Sequence, residues 1–131
     1  MGNLCYNNNY NQIEFGEIEV DVFDLTVAQA NSQNIDNFSK KVYEEKFNEI
    51  LKKLILRINK SIEMNSKKLE HSCTIYITDK LCKFDLDNKY KKKSYDEFYK
   101  NKLIDKIVEI YKDKNYYAEC SHIKSRIYIK W

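Results

Sequence analysis

Proline is absent from these 131 residues and glycine occurs only twice. Glycine-rich phosphate loops and the glycine fingerprint of dinucleotide-binding folds are therefore excluded. Only two histidines are present, and neither a nucleophile-elbow serine nor a zincin helix accompanies them, so the common hydrolytic constellations are missing. Arginine is confined to Arg57 and Arg126, which leaves few planar forks for bidentate contact with bases, phosphates or carboxylates. No run of about 18 apolar residues exists that could cross a bilayer. Asn3 to Asn11 is polar where a signal peptide would be apolar. An excess of one charge sign is also lacking, because 23 basic and 20 acidic residues are interleaved to a net charge of +3. That falls short of a nucleic-acid footprint by charge alone, although lysine can attract a phosphate backbone without reading its sequence.

What is present is a globular composition, 43% hydrophobic and 33% charged, in a length that suits one two-layered core. Met1 to Gln12 is Asn-rich and aperiodic and reads as a flexible lead-in. Residues 13–131 are expected to form a single α+β domain. The four cysteines are expected to be thiols in a reducing, intracellular setting, without a disulfide.

Periodicity supplies the elements. Ile18, Val20 and Val22 alternate with acidic residues after Gly16, as a half-buried strand would. Asp24 or Thr26 is placed to cap a short helical turn through Val27, Ala28 and Ala30, ended by the polar run Asn31 to Asn34. Asp36 then caps a long helix running to about Ser66. Its stripe is Tyr43, Phe47, Ile50, Leu51, Leu54, Ile58 and Ile62, widened by Ile55 and Leu56, and its 3.6 repeat marks a core helix rather than a coiled coil. Cys73, Ile75 and Ile77 alternate with Thr74, Tyr76 and Thr78 on a strand. Cys82, Phe84 and Leu86 could extend as a further short run before a turn at Asp87 and Asn88. Ser94, with Glu97 three residues on, reads as the capping box of a second helix burying Phe98, Leu103, Ile104, Ile107, Val108 and Tyr111. Asn115 is its left-handed stop. Tyr116 to His122 and Arg126 to Trp131 then form a hairpin about Lys124 and Ser125. The expected fold is α+β in two layers, one long and one shorter helix on one face of a small, mainly antiparallel three- to four-stranded sheet. Trp131 is expected against the long helix near Leu51, Leu54 and Ile58.

The heavy use of Lys, Asn, Ile and Tyr fits an AT-rich coding sequence. A long basic helix, the strand Cys73-Thr74-Ile75-Tyr76-Ile77, a second helix, Asn115-Tyr116-Tyr117 and the ending Tyr128-Ile129-Lys130-Trp131 together resemble small proteins of large AT-rich DNA viruses and phages. The likeness covers the layout of about residues 24 to 131. It implies an accessory role, binding a host or virion component in the host cytoplasm, nucleus or virion, and carries no activity or catalytic residue with it.

Three constellations could carry chemistry. His71-Ser72-Cys73 and Cys120-Ser121-His122 would converge on a tetrahedral zinc site if their strands were neighbours. The alternative is that Cys73 and Cys120 are small core residues beside Ile75 and Ala118, and this is the expectation, with no metal and no cofactor. Cys120 with His122 has the residue types of a thiol nucleophile, but positions two apart on a strand do not automatically hydrogen-bond. No enzyme is expected.

The third lies on the sheet. If Cys73, Ile75, Ile77, Ala118, Cys120, Ile127, Ile129 and Trp131 face the helices, then Tyr76, Tyr117, Glu119, Tyr128 and Lys130 share the opposite face. Such a Tyr and Lys surface suits a protein partner or, as an alternative, sequence-tolerant single-stranded nucleic acid stacked on the rings. The paired acids Glu17 and Glu19, Glu44 and Glu45, and Asp85 and Asp87 read as solvated faces among lysines. The start Met1-Gly2-Asn3-Leu4-Cys5 resembles an acylation signal, but Tyr6 stands where Ser or Thr is required. No lipid anchor at Gly2 is expected.

Overall fold

The computed structural model describes residues 20–131. The expected lead-in, Met1 to Gln12, and Gly16 to Glu19 lie outside the described residues. Two compact units divide the chain, Met1–Asn31 and Ser32–Trp131.

In the first unit Val20 and Val22 are exposed and belong to no strand, contrary to expectation. Alternation gives a strand a buried face only where an edge pairs with it, and no such partner exists among the described residues. Asp24 is the true helix cap: its Oδ1 accepts from the backbone N–H of Thr26 at 2.9 Å and of Val27 at 3.1 Å. These bonds, with one from the Thr26 hydroxyl, hold its carboxyl below the ordinary carboxylate value.

The helix so begun, α1, covers Leu25–Ser66 without the expected break at Asn31 to Asn34. With neither proline nor glycine there, polar residues of moderate propensity continue an exposed helix, and Gln33 Nε2 donates to Asn37 Oδ1 at 2.9 Å one turn on. Asp36, expected as a cap, instead accepts from the Tyr95 hydroxyl at 2.7 Å.

In the second unit α1 buries Ser39, Tyr43, Ile50, Leu54 and Ile58, with Phe47, Leu51, Ile55 and Ile62 partly covered. Leu56, expected to widen the stripe, is exposed. The C-terminus of α1 closes with the Glu70 N–H on the Asn65 carbonyl at 3.1 Å and Leu69 left-handed at φ 66°. That position usually belongs to glycine.

Strand β1 is Ser72–Tyr76, helix α2 is Lys93–Asp113, and β2 (Tyr117–Ser121) and β3 (Arg126–Lys130) form the expected hairpin. Cys82 and Phe84 are buried in the core, but Cys82 lies in a turn and Phe84 in irregular backbone rather than on a strand. Helix α2 starts at Lys93, and its N-cap is Lys92, which makes no side-chain bond. Ser94, expected as the cap, lies inside the helix, and the Tyr43 hydroxyl of α1 accepts from the Lys92 N–H at 3.3 Å and gives its one proton to Asp96 Oδ1 at 2.5 Å. Tyr99 takes the buried place expected of Phe98, whose exposed ring packs edge-on against it. Asn115 is left-handed at φ 70°, as the sequence led us to expect.

The sheet is antiparallel with strand order β1-β3-β2, so the last strand is central. The rows Cys73, Ile129, Ala118 and Ile75, Ile127, Cys120 point toward the helices. Opposite them lie Ser72, Lys130, Tyr117, then Thr74, Tyr128, Glu119, then Tyr76, Arg126, Ser121. Both helices join the strands in one apolar core whose wholly enclosed members include Ile58, Ile77, Leu103, Ile104, Ile107, Ile127 and Ile129. Each such side chain contributes on the order of 1.5–3 kcal/mol. The result is an α+β fold, two helices against a three-stranded sheet.

Trp131 is half-buried, packs edge-on against Tyr116 at 6.5 Å, and bonds its N–H to the His71 carbonyl at 2.8 Å. It continues an aromatic row with Tyr111, 5.5 Å from Tyr116, and packs against the core cluster to which Leu54 and Ile58 belong.

Candidate functional site

The face turned away from the helices is built by strand parity. Central β3 supplies Arg126, Tyr128 and Lys130, β2 adds Tyr117 and Glu119, and β1 adds Thr74 and Tyr76. Tyr76 is 57% and Tyr117 55% exposed, large fractions for aromatic rings on a sheet. Tyr117 and Tyr128 meet at 6.2 Å with their planes at 71°. The Tyr117 hydroxyl donates to Glu119 Oε2 at 2.8 Å, which together with the carboxylate charge raises the phenol above its ordinary value. Tyr76 stands at the other end of the face as the register partner of Arg126. The structure thus brings Tyr76, Tyr117, Tyr128 and Lys130 onto one surface. It adds Arg126, legible in the sequence as the residue two before Tyr128 on the same strand.

The four zinc-type ligands weighed from the sequence do not meet. Because β3 separates β1 from β2, Cys73 pairs with Ile129 and Cys120 with Ile127, on opposite sides of the central strand. His71 lies at the Trp131 end of the sheet and His122 follows β2 at the opposite end. Cys73 is buried as expected, and burial pushes its thiol up. Cys120 is exposed, contrary to the core role expected of it, although Ala118 two residues earlier on the same strand is buried.

A different set gathers around Cys120. His122 Nε2 lies 2.6 Å from Asp105 Oδ1 on α2 and 3.8 Å from Cys120 Sγ. The three ligand atoms fall within 4.8 Å of one another. Asp105 carried no local signal in the sequence, since 15 and 17 positions separate it from the other two. A thiol relay would need the carboxylate on one imidazole nitrogen and the thiol on the other. Here both approach Nε2. Partial burial and then the Asp105 charge raise the Cys120 thiol, the reverse of what activates a nucleophile.

A cleft of about 800 Å³ lies beside α2, among Asp79, Lys83, Lys93, Asp96, Lys100 and His122. Lys100 is largely covered and bonds Asp79 at 3.0 Å, and Lys83 pairs with Asp85 at 3.4 Å. Two of the lysines on its walls are therefore paired with carboxylates. The Cys82 thiol at its base is pushed up to about 11 by burial. Glu44, Glu45, Asp85 and Asp87 are all exposed as expected, and Glu44 also accepts from the Tyr99 hydroxyl at 3.3 Å across the helix pair. No helix among the described residues is long and apolar enough to cross a membrane.

Comparison with protein-family models, curated proteins and solved structures finds no match for this chain.

Proposed function

We propose that this chain is a non-enzymatic accessory protein of viral or phage type that binds a host or virion protein through the open sheet face. One observation carries the reading: the helices cover one side of the sheet, and the other side presents three tyrosines with Arg126 and Lys130. Tyrosine and arginine are the residues from which interface hot spots are built, since tyrosine buries a large, rigid ring at small entropic cost and arginine presents a planar fork that meets carboxylates bidentately. Glu119 sits among the rings and binds Tyr117. A carboxylate at that point opposes a phosphate backbone, so a protein surface with apolar pockets and acidic groups to meet Arg126 and Lys130 fits better. The test compares the wild-type chain with the Tyr76→Ala, Tyr117→Ala, Tyr128→Ala triple variant in capture from the native host. The captured protein, once identified, is then titrated as a purified component. Loss of binding at unchanged melting temperature is the expected result. Equal affinity of the triple variant would overturn the assignment of this face.

A second reading is kept because the Tyr117 and Tyr128 rings lie side by side next to Lys130, an arrangement on which successive bases of a single strand could stack. A gel shift with short single-stranded DNA and RNA at low and high salt decides it. No shift at low salt would remove this reading.

A further inference from the structure

The cluster that does form around Cys120 has the chemistry of a metal site that keeps Cys120 and His122 from the set weighed in the sequence and has Asp105 in place of His71 and Cys73. From the meeting of Asp105, Cys120 and His122 at the α2 and β2 edge, we propose an exchangeable zinc site with three protein ligands and a fourth position open to water.

The donor set is a thiolate, an imidazole and a carboxylate, which selects zinc or a similar borderline-soft divalent ion and disfavours magnesium and calcium. In a tetrahedral site with zinc bonds of about 2.0–2.3 Å, neighbouring ligand atoms stand about 3.3–3.7 Å apart. The thiol and imidazole are already near that separation at 3.8 Å. Asp105 and His122 are closer, at 2.6 Å, as a hydrogen-bonded pair must be. An ion entering between them takes the place of the hydrogen they share, and the pair opens by under about 1 Å. All three side chains are exposed, so this adjustment disturbs no core contact.

The supports are firmer than the side chains. Asp105 follows the enclosed Ile104 and precedes the enclosed Ile107 on α2, while Cys120 lies two residues beyond buried Ala118 and pairs with enclosed Ile127. The helix and strand that carry the ligands are therefore held together by the core itself. His122 also lines the neighbouring cleft. Binding displaces the thiol proton, and also the imidazole proton where His122 is charged, and both leave as water-borne protons.

Cobalt titration of the reduced, chelator-treated full chain tests this. The expected result is a one-to-one complex with the visible bands of a tetrahedral ion, a sulfur-to-cobalt charge-transfer band, and displacement of both by zinc but not by magnesium. Cys120→Ser should abolish the charge-transfer band, and His122→Gln and Asp105→Asn should leave the visible bands unsaturated at stoichiometric cobalt. Cys73→Ser and Cys82→Ser should leave the spectrum as it was, with far-ultraviolet dichroism confirming that each variant is folded. Absence of a tetrahedral spectrum in the folded wild-type chain would overturn the proposal. So would a charge-transfer band that survives Cys120→Ser.

Discussion

Raising the pH should unfold this protein through two tyrosines on the helix interface. Tyr43 on α1 is wholly enclosed, donates to Asp96 Oδ1 on α2 at 2.5 Å, and stacks on Tyr99 with ring centroids 5.1 Å apart. Tyr111 on α2 is buried and donates back to Asn59 Oδ1 on α1 at 2.6 Å. Burial, the first cause in each case, pushes both phenols from 10 up to about 12. The Asp96 hydrogen bond adds to Tyr43, and neighbouring Tyr116 to Tyr111. In the unfolded chain the same groups ionise near pH 10. The folded state therefore holds its protons longer. Its advantage is fully present below pH 10 and is lost as pH rises from 10 toward 12. Two units at about 1.4 kcal/mol per unit give roughly 3 kcal/mol for each tyrosine, or about 5–6 kcal/mol for the pair. That is comparable to the whole stability of an ordinary domain, on the order of 5–15 kcal/mol.

Urea unfolding at pH 8 and at pH 11, with tyrosinate absorbance and ellipticity followed in parallel, measures the effect. Loss of helix should coincide with tyrosinate formation. Tyr43→Phe, which removes a bond to a charged group, should cost about 1.5–3 kcal/mol at neutral pH. Combined with Tyr111→Phe, it should make stability fall less steeply above pH 10. A remaining slope is expected from Tyr95 and Tyr99, whose phenols are also raised, the first chiefly by its bond to Asp36 and the second chiefly by burial. If all the tyrosines titrate near pH 10 without loss of ellipticity, or if the stability of the double variant falls as steeply above pH 10 as that of the wild type, the reasoning fails.

Two further outcomes follow from the backbone. Leu69 holds a left-handed conformation at 89% exposure, so Leu69→Gly relieves steric strain while losing no packing, and the urea midpoint should rise by the equivalent of about 0.5–1 kcal/mol; a fall would show that this helix end is not strained. Deleting Arg126 to Trp131 removes the strand with which, among the described residues, both β1 and β2 pair, together with enclosed Ile127 and Ile129; the truncated chain should show no cooperative melt, and melting at the parent temperature would overturn the central role of β3.

Much of the fold was legible because helix and strand periods are local properties. The α1 stripe from Tyr43 to Ile62, the parity of β1 and β3, and the left-handed Asn115 were all readable within a few residues of themselves. Local reading failed where a distant group decided the outcome. Helix α2 begins at Lys93, ahead of the Ser94 and Glu97 signal, where the Tyr43 hydroxyl of α1 bonds both the Lys92 N–H and Asp96. Val20 and Val22 alternate correctly but pair with no described strand.

The sequence by itself determined which residues could share a face, and hence that Tyr76, Tyr117, Tyr128 and Lys130 would turn away from Ile75, Ile127 and Ile129 if their strands joined one sheet. Strand period is set by the pleat and needs no partner to be read. Only the tertiary structure decided the order β1-β3-β2, because either strand of the hairpin could have lain beside β1 with the same alternation. That one choice put Cys73 and Cys120 on opposite sides of the central strand. It left Cys120 at an edge, where packing of α2 against β2 could bring Asp105 to His122 from far along the chain.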